Sequence, residues 1–115
     1  STISLRQIDL LSRLFKQRKV KYLDAPITGG EEGAKKGTLS VMVGGTEPNF
    51  NKSKRIISSY SKSITHMGKL GSGQLTKFTN QILICGILYS MSEAYLFSKK
   101  NKLNQKKIFY VDNYD

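Results

Sequence analysis

The spacing of apolar residues along the chain predicts several helices. In the first segment, apolar side chains recur every three or four positions, which places them on one face of a helix. Ser4 is suited to cap this helix, and Pro48 is accepted in the first turn of the next one. The third helix is apolar on several sides, which is typical of a helix buried in a core. The predicted helices cover residues 5–17, a segment that begins at Glu47, a long segment from residue 72 or 73 to about residue 100, and residues 105–110.

Three short strands are predicted between these helices. The first runs through Val20–Leu23 and is ended by Pro26, the second covers Thr38–Val43, and the third covers Ile64–Met67. A glycine-rich loop is predicted between the first two strands, and such a loop lets a ligand approach the backbone closely. Helices alternating with strands in residues 1–66 indicate an α/β unit with a largely parallel sheet.

Charge and composition narrow the classes of function. Lysine and arginine number 19 against 8 acidic residues, which gives a net charge of +11. These basic residues form no dense arm, so most are expected on solvated faces, and no helix-turn-helix or RNA-binding signature is present. A single cysteine excludes an internal disulfide, and with one histidine it cannot form a His/Cys zinc site. The chain also lacks a run of 18 apolar residues. We therefore expect no nucleic-acid, membrane or metal partner.

Two groups of motifs, in this order and spacing, resemble the β-hydroxyacid dehydrogenase family, which includes 3-hydroxyisobutyrate dehydrogenase and tartronate semialdehyde reductase. The resemblance extends over nearly the whole chain. The first group is Asp24-Ala25-Pro26-Ile27-Thr28-Gly29-Gly30, Gly33-Ala34, Gly37-Thr38-Leu39 and Met42-Val43-Gly44-Gly45. The second is His66, Gly68, Gly71-Ser72-Gly73-Gln74, Lys77, Asn80-Gln81 and Ser92-Glu93-Ala94.

This resemblance implies the middle portion of a longer two-domain protein. Residues 1–71 are then the C-terminal half of a Rossmann-type dinucleotide-binding domain, and residues 72–115 begin an all-α domain. The Gly-x-Gly-x-x-Gly turn that binds a dinucleotide is not found in the 115 residues. The implied cofactor is NAD or NADP, and the implied assembly of the full-length protein is a homo-oligomer. The expected location is the cytoplasm, or the mitochondrial matrix in a eukaryote.

Lys77 is the candidate catalytic acid/base that the resemblance implies. It shares a helix face with Asn80, which would orient the substrate or the lysine, and with Gly73, which we expect to leave open space for a ligand. A free lysine has a pKa of about 10.4, so a base role at neutral pH requires desolvation or a neighbouring positive charge. Without the resemblance, Lys77 reads as an ordinary surface lysine and Asn80 as a polar contact between helices.

The substrate carboxylate would be bound by Thr28, Gly29 and Gly30, through a hydroxyl and exposed backbone N–H groups. The family more often has serine where Thr28 stands, and the additional methyl group would narrow the pocket. The alternative is a glycine-rich turn without a ligand. Thr2 matches a position that contacts the cofactor, and a role as a strand end or helix cap is the alternative there.

Two other reactive side chains are interpreted as structural. His66 is expected to be a structural residue at a strand end, and Cys85 an inert core residue in an apolar helix. The predicted function is hydride transfer between NAD(P) and a small 3-hydroxy acid such as 3-hydroxyisobutyrate or a tartronate semialdehyde/glycerate-type substrate. A catalytically inactive remnant or binding module of the same fold is the alternative.

Overall fold

A computed structural model describes residues 2–111 of the chain, with side chains for residues 2–108. The chain divides into two compact units, Ser1–Asn80 and Gln81–Asp115. The predicted division into two family domains after residue 71 stays a prediction. The elements are α1 (Leu5–Gln17), β1 (Ile27–Thr28), α2 (Gly30–Lys36), β2 (Leu39–Gly44), α3 (Glu47–Ile57), β3 (Ser61–Gly68), α4 (Ser72–Lys100) and α5 (Gln105–Val111).

The first unit contains a three-stranded sheet in the order β1-β2-β3. Strand β2 pairs with β3 in parallel, with Val41 opposite Ile64, and it pairs with β1 in the antiparallel direction, with Thr28 opposite Ser40. The prediction of a largely parallel sheet is therefore correct for β2 and β3 and wrong for β1.

Two predicted elements before β2 differ from the structure. The strand predicted over Val20–Leu23 is not formed, and β1 begins only after Pro26, at Ile27. The predicted glycine-rich loop instead contains α2, a helix of seven residues. Two exposed ion pairs between successive turns, Glu31 with Lys35 and Glu32 with Lys36, accompany this helix.

The core of the first unit lies between β2 and α3. Val41 and Val43 of β2 are fully buried against Phe50 and Ile57 of α3. Alternation along β2 and helical spacing along α3 place these apolar residues face to face. The predicted cap of α1 is confirmed, since the Ser4 side chain accepts the Gln7 N–H in a capping box.

The second unit contains the rest of α4 together with α5. Residues 81–97 of α4 are exposed, which includes Cys85, so the interpretation of Cys85 as a core residue is wrong for this chain. The buried Ser98 hydroxyl lies 2.8 Å from the Gln105 Oε1 and so joins the two helices. Within residues 2–111, no helix combines the length and apolar character that crossing a membrane requires.

Candidate active site

The centre of the candidate site is the Asp24 carboxylate, which is only 3% exposed. Its Oδ1 accepts the Gly71 N–H at 2.7 Å, and its Oδ2 accepts the Gln74 N–H at 2.8 Å. These lengths are typical of charge-assisted hydrogen bonds. Asp24 thus binds two amides at the beginning of α4, where the first N–H groups of a helix lack partners within the helix.

The main chain of Asp24 is fixed independently of its carboxylate. Asp24 and Gly44 exchange two backbone hydrogen bonds, of 3.1 and 2.7 Å. Two residues further on, the Pro26 carbonyl accepts the Met42 N–H at 3.0 Å. The segment that leads to β1 is therefore held along β2, and the carboxylate is free to reach α4.

Two glycines provide the space that this contact requires. A Cβ on Gly44 would overlap the Asp24 Oδ1, and a Cβ on Gly73 would overlap the Met42 carbonyl oxygen and approach the Asp24 Oδ2 to 2.8 Å. The expectation that Gly73 leaves space for a ligand is therefore wrong, because backbone and carboxylate of the protein fill that space. Gly73 instead lets the first turn of α4 lie directly against β2.

Gln74 connects the same turn to the beginning of the chain. Its side chain is 2% exposed, and its Oε1 accepts the Ile3 N–H at 3.3 Å. Thr2, the predicted cofactor residue, is exposed next to this anchored residue. The structure thus brings the predicted cofactor segment and the first turn of α4 together through Gln74.

The predicted carboxylate-binding residues form the junction between β1 and α2. Thr28 is half-buried in β1, whereas Gly29 and Gly30 are exposed and have φ values of 129° and 61°. Nothing lies within 4 Å of a Cβ built on Gly30, so its backbone conformation, and not a lack of space, favours glycine there. This arrangement leaves the backbone at the start of α2 accessible to a small anion.

Lys77 and Asn80 lie on α4, one and two turns after Gly73, and both are half-buried. Their side chains make no hydrogen bond or ion pair with another residue whose side chain is described, from 2 to 108. A helix repeats every 3.6 residues, so both follow Gly73 on the side of α4 that begins against Asp24 and β2. No hydrogen bond joins either side chain directly to Thr28, Gly29 or Gly30 in this part of the chain.

The structural interpretation of His66 is supported by its contacts. The His66 Nε2 donates to the Gly45 carbonyl at 2.7 Å, which assigns the proton to that nitrogen, and its ring stacks on Phe50 with centroids 4.9 Å apart.

Burial raises the pKa of Tyr22 above its ordinary value of 10.0, and the negative charge of Asp24 raises it further.

Sequence reasoning gave no role to the Asp24 and Gln74 side chains, although both belong to the quoted motifs. The available signal was the position of Asp24 between Leu23 and Ala25 in an apolar stretch. A carboxylate at such a place indicates a buried charge, and a buried charge requires partners. The partners themselves, Gly71 and Gln74, are 47 and 50 residues away along the chain.

Known proteins are similar to this chain in sequence and in fold. Residues 1–68 match the family model described as the NAD binding domain of 6-phosphogluconate dehydrogenase. The chain is 42% identical over 100 residues to a 2-hydroxy-3-oxopropionate reductase of Escherichia coli, which covers 87% of the chain and 34% of the relative. It is 34% identical over 113 residues to a probable mitochondrial 3-hydroxyisobutyrate dehydrogenase of Dictyostelium discoideum, covering 98% of the chain and 35% of the relative.

A solved structure with a similar fold carries a name of the same kind as these relatives. The 3-hydroxyisobutyrate dehydrogenase of Mycobacterium tuberculosis, solved with L-serine, superposes with a TM-score of 0.91 at 31% identity, over 96% of this chain and 38% of that one. The fold is thus that of an α/β dehydrogenase of the Rossmann type. The chain belongs to the β-hydroxyacid dehydrogenase family, and it spans about a third of the length of the curated relatives it matches.

The cofactor of this family is NAD(P), and the residues near Thr2 fit a contact with it. Gln74 accepts the N–H of Ile3, so the exposed Thr2 directly precedes a residue that is joined to the first turn of α4. A hydroxyl both donates and accepts hydrogen bonds, as contacts with a ribose or a carboxamide require.

Proposed function

We propose that this chain is part of an NAD(P)-dependent oxidoreductase that acts on a small 3-hydroxy acid, such as 3-hydroxyisobutyrate or a tartronate semialdehyde/glycerate-type compound. The names of its relatives support this substrate class. The chain supplies the group that moves the substrate proton and the groups that bind the substrate carboxylate. In the full-length protein, the assembly is a homo-oligomer.

In this proposal, the carboxylate of the substrate is bound where β1 meets α2. The accessible N–H groups around Gly29 and Gly30, together with the Thr28 hydroxyl, are donors that suit an oxyanion. Positive φ values at both glycines hold this stretch of backbone in a conformation that other residues rarely adopt. Asn80 orients the substrate by hydrogen bonds from α4.

Lys77 transfers the proton. In the oxidation direction, its Nζ in the neutral form accepts the proton of the substrate hydroxyl while the adjacent carbon loses a hydride. In the reduction direction, the ammonium returns that proton to the forming alkoxide.

NAD(P), when bound, supplies the hydride acceptor of the oxidation, as nicotinamide cofactors do. Among the residues of this chain, Thr2 contacts it through its hydroxyl. The hydrogen bond from Ile3 to Gln74 joins the segment next to Thr2 to the first turn of the helix that carries Lys77.

The observation that carries this proposal is the contact between the two motif groups at Asp24. Its segment leads directly to Thr28, and its carboxylate binds the first turn of α4, which precedes Lys77. Two segments about 50 residues apart in the sequence are thereby joined within one compact unit.

The test is an assay of the full-length parent with several 3-hydroxy acids and both nicotinamide cofactors. We expect Lys77→Ala to lower turnover at least about 100-fold, the lower end for general acid–base catalysis. The matched control is Lys100→Ala, which removes an exposed lysine from the end of the same helix. Near-normal turnover in Lys77→Ala would remove this lysine from the chemistry.

The outcome also separates the alternative of an inactive remnant or binding module. A parent gene without a Gly-x-Gly-x-x-Gly turn, or a parent protein without turnover on any hydroxy acid, would contradict the proposed enzyme. Cofactor binding without turnover would favour the binding module.

A further inference from the structure

We propose that Asp24 is the positioning residue for Lys77: its carboxylate fixes the first turn of α4 and so sets the place of the amine one turn later. This inference rests on the proposed function of Lys77. Asp24 itself does not touch the reacting atoms in this proposal, so it is not a catalytic residue.

The geometry of the carboxylate supports a positioning role. Its two oxygens accept from two different amides, Gly71 N–H and Gln74 N–H, at 2.7 and 2.8 Å. Two bonds from one rigid group to both ends of a turn fix its rotation about the helix axis as well as its distance from β2. A single capping hydroxyl, such as Thr46 at the start of α3, fixes one amide only.

The protein is built closely around this carboxylate. Asp24 is 3% exposed, and the absence of side chains at Gly44 and Gly73 leaves room for it between β2 and α4. The first turn of α4 therefore lies against backbone that cannot yield easily. Lys77 follows Gly73 by four residues, so it lies about 6 Å further along the axis at a rise of 1.5 Å per residue.

The side chain of Asp24 is not needed to hold the carboxylate-binding segment. The backbone pairs between Asp24 and Gly44, and between Pro26 and Met42, keep that segment on β2. Loss of the Asp24 carboxylate should therefore displace Lys77, while Thr28, Gly29 and Gly30, which bind the substrate carboxylate, stay in place. This separation predicts a change in kcat with little change in KM.

The experiment compares variants in the full-length parent, with activity expressed per folded molecule measured by circular dichroism. Asp24→Asn keeps one side-chain oxygen that can accept a hydrogen bond. Its N–H₂ group then faces a backbone N–H, of Gly71 or Gln74, that has lost its acceptor. Gly44→Ala keeps the charge but pushes the carboxylate aside. The control is Thr46→Ala, which removes the side-chain cap of α3, a helix without a proposed site residue.

We expect Asp24→Asn to lower kcat about 10- to 100-fold, as small misplacements of a reacting group do. KM for the hydroxy acid and Kd for the cofactor stay close to those of the parent. With a deuterated substrate, the isotope effect on kcat rises, because proton and hydride transfer become limiting. Gly44→Ala is expected to show the same pattern, and it serves as the test if Asp24→Asn folds poorly. Thr46→Ala is expected to lower stability without changing kcat.

Two results would overturn the inference. One is a parental kcat and isotope effect in folded Asp24→Asn and Gly44→Ala, and the other is an equal loss of kcat in Thr46→Ala. Lys77→Ala is measured in parallel to separate the two proposals. An inactive Lys77→Ala beside a fully active Asp24→Asn refutes only the positioning role, whereas an active Lys77→Ala refutes the proposed function itself.

Discussion

Gly73 lies so close to the Met42 carbonyl oxygen that a Cβ on this glycine would overlap it. The first turn of α4 therefore touches the backbone of β2 without an intervening side chain. An added methyl group must displace either the helix or the strand, since neither has a flexible end at this point.

Gly73→Ala is therefore expected to lower the free energy of unfolding of the chain by about 1–3 kcal/mol, the usual range for overpacking. The matched control is Gly86→Ala on the same helix, where nothing beyond the adjoining helix backbone lies within 4 Å of the new Cβ. That change should be neutral or raise stability by up to about 1 kcal/mol, from helix propensity. Urea unfolding measures both variants, and equal effects would contradict the close contact.

Thr28 offers a test of carboxylate binding in the full-length parent. Thr28→Val keeps the branched shape but removes the hydroxyl, so we expect KM for the hydroxy acid to rise roughly 10-fold or more, consistent with about 1.5–3 kcal/mol for a hydrogen bond to a charged group. Thr28→Ser keeps the hydroxyl and should retain a KM near that of the parent. Equal KM values for Thr28→Val and Thr28→Ser in steady-state kinetics would exclude this contact.

Lys77→Arg distinguishes a proton-transfer role from a purely electrostatic one. Arginine keeps the positive charge but does not lose its proton in proteins, so it cannot act as the base. We expect turnover to fall at least about 100-fold, as for general acid–base catalysis, while cofactor affinity is retained. Lys100→Arg serves as the control on the same helix, and substantial activity of Lys77→Arg would show that charge alone suffices.

Tyr22 provides a prediction at alkaline pH. Burial first, and the Asp24 charge second, raise its pKa above 10.0, so the folded state retains this proton longer than the unfolded state. The resulting contribution to stability is complete below the unfolded pKa and is lost as pH rises through the folded pKa. Phenolate absorbance should show a late ionisation step that is absent in Tyr22→Phe.

The Asp24 contribution can be separated in the same titration. Asp24→Asn removes the neighbouring charge, and the late Tyr22 step should move to lower pH without reaching the ordinary value, since burial remains. A Tyr22 step that does not move in Asp24→Asn would show that burial alone sets this pKa.

Local patterns were sufficient to predict α1, β2, α3 and the bounds of α4. Each has either a regular apolar spacing or an explicit boundary residue, such as Ser4 or Pro48. Helix α2 was missed because its sequence, Gly30–Lys36, contains one alanine and no larger apolar residue. Its buried contact is made by Gly33, which packs against the Leu39 side chain of β2, and such a contact is not visible in local periodicity.

The candidate site was predictable only in part. The motif resemblance identified Thr28, Gly29, Gly30, Lys77 and Asn80, but their roles stay predictions. The hydrogen-bond partners of the Asp24 carboxylate required the folded chain, because they lie in a different motif group. For the same reason, the sequence predicts space for a ligand at Gly73, whereas the Met42 carbonyl of β2 and the Asp24 carboxylate occupy that space.

The ion pairs of α2 also affect the local field next to Gly30. Glu31 and Glu32 lie in the first turn of the helix, and the Nζ atoms of Lys35 and Lys36, one turn later, lie 2.6 and 3.0 Å from their carboxylate oxygens. The proposed substrate carboxylate would therefore meet a helix whose side-chain charges cancel. Neutralising both lysines would leave two uncompensated anions beside the glycines, and repulsion would slow the arrival of an acidic substrate, most strongly in dilute salt.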